Sequence, residues 1–300
     1  MSDKAKAMVL ASFAADSLAL GAHWIYDTQK IKGRFGRVEA LLRPEPDSYH
    51  PTKDKGEFTH YGDQALALLE SVAAVKGFDL NDFSTRWRGL FQDYRGYFDK
   101  ATKATLANYA SGLPPVEAGS ASDELGGASR IAPLVFCYQS DLDRLIETAQ
   151  AQTRMTHNHP EPISAAEFFA RVVFLELGGT APVEAMQLVS EEKFKGSTLC
   201  QWVQRGFESK DMDSVSAIAG FGQACSTRRA FPGVVHLVAK YQDDLKEALI
   251  QSVMTGGDSA ARGMMVGLVL GAHLGLEALP REWTSTLKKR DRIMSLLDSL

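Results

Sequence analysis

Cysteine is scarce in this 300-residue sequence: Cys137, Cys200 and Cys225 are odd in number and widely spaced. That excludes a disulfide framework and a Cys-x-x-Cys zinc pattern, so the three read as buried thiols of a reducing cytoplasm. An excess of positive charge is also lacking, since 33 Lys and Arg face 37 Asp and Glu for a formal net charge of -4. Nucleic-acid binders concentrate basic charge, and no such partner is expected. No apolar run is fit to cross a bilayer either. The stretch 7–26 is interrupted by Asp16 and His23, which a membrane centre penalises. The run after Arg262 has only about fourteen residues without a formal charge, where ~20 are needed. Without low-complexity tracts, fixed-period repeats or a linker-like change of composition, residues 1–300 are expected to form one domain.

What the sequence does have is apolar residues at helical spacing. Met8, Ala11, Ala15 and Leu18 recur this way, as do Leu66, Leu69, Val72 and Val75, and Leu142, Leu145, Ile146 and Ala149. Strand-like alternation is rare, so an all-α fold is expected. Further helices are predicted over 82–99, 101–110, 163–177, 183–189, 215–221, 233–241, 244–253 and 283–297. The irregular segments 43–59 and 111–127 are rich in Pro and Gly, and long loops in a helical domain tend to roof a site. Gly263, Gly267, Gly271 and Gly275 stand four apart, which predicts close approach of a neighbouring helix inside the core.

Five segments could carry chemistry. Gly256-Gly257-Asp258-Ser259 precedes the glycine-striped helix and reads either as a capped helix start or as an anion site. His60, Tyr61 and Asp63 cluster at another helix mouth, a density of titratable groups that a simple cap does not require. Asp16 lies within an apolar helix followed by His23-Trp24, and a buried carboxylate there needs a partner, a proton or a cavity. Gly126-Gly127 with Ser129 and Arg130 leads into an apolar helix and would suit a phosphate or carboxylate, although most Gly-Gly pairs are turns. His157 and His159 form a His-x-His loop that lacks further ligands at metal spacing.

In this order the segments ADSLALG, YGDQALAL, GGASRIAPL, THNHP and GGDSAARG resemble the ADP-ribosylglycohydrolase superfamily over nearly the whole chain. AHWIYD, GEFTHYGDQ and GGDSAARG are similar to a divergent branch that includes the J-type lens crystallins. The resemblance implies a compact multi-helix orthogonal bundle with a central cleft. In family enzymes two magnesium or manganese ions fill that cleft, and the substrate is an ADP-ribosyl group. Here Asp63 and Asp258 match one acid each of the family's two acidic turns. Tyr61 and Gly62 stand where the first turn has its threonine and other acid, and Ala260 and Ala261 replace an acid and a threonine of the second. Magnesium requires about six oxygens in near-octahedral array. Asp63 and Asp258 are thus residual metal ligands only, and no cofactor is expected, with magnesium held weakly at most. Fixed cations, Arg262 beside Asp258 and His60 beside Asp63, are expected to pair with the retained acids.

Two functions follow from the resemblance. One is hydrolysis of an N- or O-glycosidic bond in an ADP-ribosyl-like or other ribosyl substrate, metal-independent or weakly metal-dependent. Asp16, Asp63 and Asp258 are then the candidate acids, with Asp63 activating water, Asp258 orienting, and His60 or His23 moving protons. Gly126, Gly127, Ser129, Arg130, His157, Arg262 and Tyr61 would line or grip the substrate. The alternative is a ligand-binding or structural, crystallin-like protein without turnover. The oligomeric state is not readable from the sequence.

Overall fold

The computed structural model describes residues 3–300, and among them sixteen α-helices carry the chain. The only β-type pairings among these residues are isolated bridges, Ser120 with His157 and Glu124 with Ser226. The first half contains α1 (Asp3–Ala19), α2 (Thr28–Phe35), α3 (His60–Val75), α4 (Leu80–Leu90), α5 (Lys100–Ala110), α6 (Ala132–Cys137) and α7 (Leu142–Arg154). Next come α8 (Pro160–Leu177), α9 (Pro182–Lys193), α10 (Thr198–Glu208), α11 (Ser214–Phe221) and α12 (Thr227–Lys240). The chain closes with α13 (Leu245–Met254), α14 (Ser259–Leu274), α15 (Arg281–Thr286) and α16 (Arg290–Asp298).

The centre of the core is α1 lying against α14. Every residue of α14 from Ser259 to Ala272 is buried, as expected of a helix apolar all round. A Cβ on Gly267 would come within 2.6 Å of the Ala11 carbonyl oxygen, and one on Gly271 within 2.8 Å of Ala11 Cβ. Gly263 faces Ala15, so the two helices run antiparallel and the glycines let their backbones meet. Gly275 does something else: with φ +80° and open space around it, it ends the helix. The antiparallel packing has a functional consequence. It brings the C-terminal end of α1, with Asp16 and His23 beyond it, beside Asp258 at the start of α14.

Several predicted elements differ in extent. The helix expected over 82–99 stops at Leu90, and Phe91, Tyr94 and Phe98 then form a ring cluster with centroids 5.0–5.5 Å apart. Asp99 turns at its end to cap α5 by accepting from Thr102 N at 2.5 Å. The helix expected over 283–297 is two, α15 and α16, separated where Lys288 N donates to Gly56 O. α12 begins at Thr227, well before the expected 233, and accommodates Pro232. α2 and α10 were not anticipated. The three cysteines are free and half-buried rather than fully buried. No helix among the described residues is long and apolar enough to cross a membrane.

Candidate functional site

The start of α3 rests on the end of α1. Thr59 caps α3 by accepting from Tyr61 N at 3.1 Å, and it donates to Asp16 twice, from its amide to Oδ2 at 2.7 Å and from its hydroxyl to Oδ1 at 2.5 Å. Asp16 is entirely buried, and burial pushes its carboxyl up to about 7 against the lowering effect of both Thr59 hydrogen bonds. A folded pKa above the unfolded 3.8 means the folded state holds the extra proton. This contribution to stability is therefore complete below pH 3.8 and lost as pH rises through about 7. Urea unfolding at pH 4.5 and 7.5 is expected to show that loss, on the order of a few kcal/mol. Asp16→Asn is expected to remove it, and an unchanged pH profile in that variant would refute the assignment.

The start of α14 is set by a left-handed glycine turn. Gly256 and Gly257 take φ +71° and +68°, and Gly257 exchanges hydrogen bonds with the turn after α1, donating to Ile25 O and accepting from Trp24 N, both at 2.9 Å. Trp24 itself has φ +62°, a left-handed conformation that costs a bulky residue about 1–3 kcal/mol. This turn carries His23 into contact with Asp258: His23 Nε2 lies 3.0 Å from Oδ1, while Tyr61 donates its hydroxyl to Oδ2 at 3.2 Å. His23 Nδ1 in turn lies 2.8 Å from His50 Nε2. A neutral pair satisfies both contacts when His50 Nε2–H donates to His23 and His23 Nε2–H donates to Asp258. Burial holds both imidazoles below their ordinary value, His50 far below. For Asp258 burial acts upward, but the hydrogen bonds from His23 and the Ala261 amide outweigh it and keep the carboxyl below its ordinary value.

A second buried carboxylate is also paired with a histidine. Asp99 Oδ2 lies 2.9 Å from His60 Nε2, and His60, His157 and Thr102 together hold it well below the usual range although burial acts against them. His60 Nδ1 and His157 Nε2 are buried without a partner, and burial lowers His157 to about 3. Glu124 behaves in the opposite way. Burial raises its pKa, with Asp99 and Asp258 adding to the effect; Oε1 accepts from Cys225 Sγ at 3.1 Å and Oε2 has no partner. Aromatic rings pack beside these groups: the Trp24 ring lies 5.0 Å from Tyr49 and 4.8 Å from Tyr97, and Tyr49 lies 5.5 Å from Tyr97, all edge to face. A cleft of about 230 Å³ opens against His23, Trp24, Tyr26 and Tyr49.

The other sequence-predicted residues fall elsewhere. Asp63 is paired with Lys53 and accepts from Tyr94 Oη at 2.6 Å, and both of these partners line a separate opening of about 400 Å³. His60 therefore meets Asp99 and not Asp63. Arg262 does not hydrogen-bond to Asp258 but turns inward to Ser252 O, Thr255 Oγ1 and Gly256 O. The expected pairings of Arg262 with Asp258 and of His60 with Asp63 are not formed: Lys53 holds Asp63, and a neutral His23 holds Asp258 by a hydrogen bond. Arg130 donates to Gln64 and Thr156, inside the core. Gly126 lies under the Tyr61 ring, and a Cβ on Gly127 would come within 2.6 Å of the His157 ring. Ser129 donates back to Gly126 O. Asp99, Glu124, His50, Lys53 and Cys225 were missed: His50, Lys53 and Glu124 sit in the irregular segments, Asp99 closes the stretch expected to be helical over 82–99, and Cys225 stands alone in sequence.

A family model for ADP-ribosylglycohydrolase matches residues 1–300. The chain belongs to the ADP-ribosylglycohydrolase family. It is similar to Crystallin J1A of Tripedalia cystophora, 25% identical over 99% of this chain and 96% of the crystallin. Similarity to ADP-ribosylhydrolase ARH3 of Mus musculus is 24% over 92% of this chain and 85% of the relative. Among solved structures, one titled ADP-ribosylglycohydrolase-related protein complex superposes with a TM-score of 0.79 at 25% identity, covering 99% and 96% of the two chains. The fold of the family is thus present throughout.

The two-metal centre usual in the family does not fit the residues here. Where the family turn has an acid, Gly62 has no space, since a Cβ would stand 2.5 Å from Asp16 Oδ2. Both oxygens of Asp258 are engaged by His23 and Tyr61, and Asp63 is neutralised by Lys53. Among the described residues no three His, Cys, Asp or Glu side chains are arranged to hold a metal ion.

Proposed function

We propose that this ADP-ribosylglycohydrolase family member hydrolyses a glycosidic bond of a ribosyl substrate without a two-metal centre. The observation that carries this reading is a pair of buried carboxyl groups, each within the other's field, whose proton affinities move in opposite directions: burial raises that of Glu124, and the His23 hydrogen bond outweighs burial to lower that of Asp258. Neighbouring acids pushed in opposite directions mark an acid and a base. In this reading Asp258 steadies the oxocarbenium-like carbon and orients water, Glu124 protonates the departing atom, and Asp99 with His60 adds negative potential. His23 holds Asp258 in place. Asp63, tied to Lys53 and Tyr94, anchors the start of α3, and Asp16 supports it from below. The free thiols suit a reducing cytoplasm.

A non-catalytic, crystallin-like role is favoured by one feature, the closure of Tyr61 over Gly126 and of His157 over Gly127, where a phosphate would otherwise meet backbone. Turnover decides between them. ADP-ribosyl and ribosyl conjugates incubated with the pure protein in EDTA or in magnesium are expected to release free sugar at rates within about twofold of each other. Loss of turnover in EDTA would overturn the metal-independent mechanism, and absence of turnover in both would leave the binding role.

A further inference from the structure

The cleft of about 230 Å³ beside Trp24 is walled by aromatic rings that the rest of the protein leaves uncovered. Tyr26 and Tyr49 line it at 48% and 52% exposure, and Trp24 joins them, the only one of the four tryptophans that is not buried. Tyr49 meets the Trp24 ring edge to face with centroids 5.0 Å apart, whereas no ring lies against Tyr26 among the described residues. His23 stacks on Trp24 at 4.2 Å and 23°, which fixes the indole. The left-handed φ of +62° keeps Trp24 in that position against its own preference, as happens where a side chain serves as a ligand clamp.

Charged groups of both signs stand around these rings. Lys30 and Arg34 belong to α2, which Asp27 caps, and Glu45 and Asp47 belong to the irregular segment 43–59. Arg34 is held by Glu45 Oε2 at 3.0 Å and by Asp47 Oδ2 at 2.7 Å, which leaves Arg34 Nε and Glu45 Oε1 uncommitted. Asp27 accepts from the amides of Gln29 and Lys30 through Oδ1 and keeps Oδ2 free. The Lys30 ammonium and the hydroxyls of Tyr26 and Tyr49 have no hydrogen-bond partner among the described residues. Free donors and free acceptors are thus mixed in one small space. An anion entering it meets Asp27, Glu45 and Asp47, and an organic cation meets Lys30 and Arg34. A neutral molecule that both donates and accepts meets no like charge. Size restricts the ligand further. Sites for drug-sized molecules run to about 300–1,000 Å³, so a cleft of about 230 Å³ holds a single ring.

We propose that this cleft binds one uncharged sugar ring. Every sugar hydroxyl both donates and accepts, which matches the mixed polar groups. The C–H bonds on the face of a sugar ring carry a small positive charge, which matches the negative faces of Trp24, Tyr26 and Tyr49. Asp27 Oδ2 and Glu45 Oε1 accept from hydroxyls, and Lys30 and Arg34 Nε donate to them. The cleft adjoins the residues assigned to hydrolysis only through His23 and Trp24, and it goes beyond the hydrolase reading, since a protein without turnover would bind a sugar there too. No bond is made or broken in it.

The test titrates the full chain, by ligand-observed NMR, with glucose and N-acetylglucosamine, and with glucose 6-phosphate and glucosamine as the anionic and cationic matches to glucose. The two neutral sugars are expected to bind with Kd in the millimolar range, and the charged forms at least about fivefold more weakly. Bound neutral sugar is expected to reduce acrylamide quenching of tryptophan fluorescence, because Trp24 is the accessible tryptophan. Tyr26→Ala and Tyr49→Ala, both at half-exposed positions, are expected to melt within a few degrees of wild type and to weaken the neutral sugars by about fivefold or more. Charged forms that bind as tightly as glucose, quenching that bound sugar leaves unchanged, affinity that neither tyrosine variant lowers, or no binding of either neutral sugar overturns the proposal. Turnover of ribosyl conjugates bears on the hydrolase reading alone: a protein that binds glucose and cleaves no conjugate keeps the sugar site and loses hydrolysis, and one that cleaves a conjugate and binds neither neutral sugar does the reverse.

Discussion

Asp258→Asn is expected to fold as the wild type does and to lower kcat by about 10²–10⁴-fold, the range seen when one member of an acid–base or charge-stabilising set is removed. The substitution preserves shape. An asparagine caps a helix as well as an aspartate does, so the contact with Ala261 N at 3.3 Å survives, and the amide oxygen still accepts from His23 Nε2. What disappears is the negative charge that His23, Tyr61 and the helix start are arranged around. The amide nitrogen then faces the Tyr61 hydroxyl, which must turn from donor to acceptor. Because the charge matters most where positive charge develops on the sugar, kcat and kcat/KM should fall together while the binding of unreactive ribosides changes little. A thermal melt within a few degrees of wild type, with activity within about threefold, would remove Asp258 from the chemistry.

Much of this arrangement was legible from residue order alone, and the part that was not has a physical cause. Local signals located the helix starts: the acid after Gly256-Gly257 does cap α14, and the cluster at 60–63 does open α3. The glycine stripe marks close packing at Gly263, Gly267 and Gly271, whereas Gly275, the fourth of the series, ends the helix in open space. The partners of each acid were not legible. His23 lies 235 residues from Asp258, and Lys53 and Asp99 reach Asp63 and His60 from loops whose paths no periodicity records. Sequence spacing suggested Arg262 and His60, which share a helix face with the two acids, but the carbonyls of Ser252 and Gly256 with the Thr255 hydroxyl draw Arg262 away, and Asp99 takes His60. Glu124 was invisible for another reason, since its environment is made by Cys225, about a hundred residues later. α10 could have been found: Leu199, Trp202, Val203 and Gly206 keep the spacing of a buried face after the Ser197 cap. α2 offers a single buried residue, Ile31, and its best signal is the Asp27 cap.

Gly62→Asp would return to the chain the acid that the family turn carries, and it is expected to destabilise the protein without restoring a metal. The side chain would have to enter a space already filled, with its Cβ 2.5 Å from Asp16 Oδ2, 2.8 Å from Asp16 Cγ and 2.8 Å from Phe58 Cβ. Neither neighbour can retreat cheaply. Asp16 is fixed by two hydrogen bonds from Thr59, and the Phe58 ring is buried against Phe13 with centroids 5.1 Å apart. Overpacking of this kind costs about 1–3 kcal/mol, and a further buried carboxyl beside Asp16 and Asp63 adds at least as much. The sum, about 2–6 kcal/mol, should lower Tm by roughly 3–10 °C in a chain of this size. Truncating the obstruction in Asp16→Ala/Gly62→Asp should recover part of the loss, because it removes both the clash and the neighbouring acid. Calorimetric titration with magnesium should stay flat in both variants, since Lys53 still neutralises Asp63 and His23 still occupies Asp258. A Gly62→Asp protein as stable as wild type, or one that acquires tight magnesium binding, would show that the metal-site geometry had been kept with only its charges removed. The expected result places the change deeper: the space between α1 and α3 that a metal ligand would need has been closed by Asp16 itself.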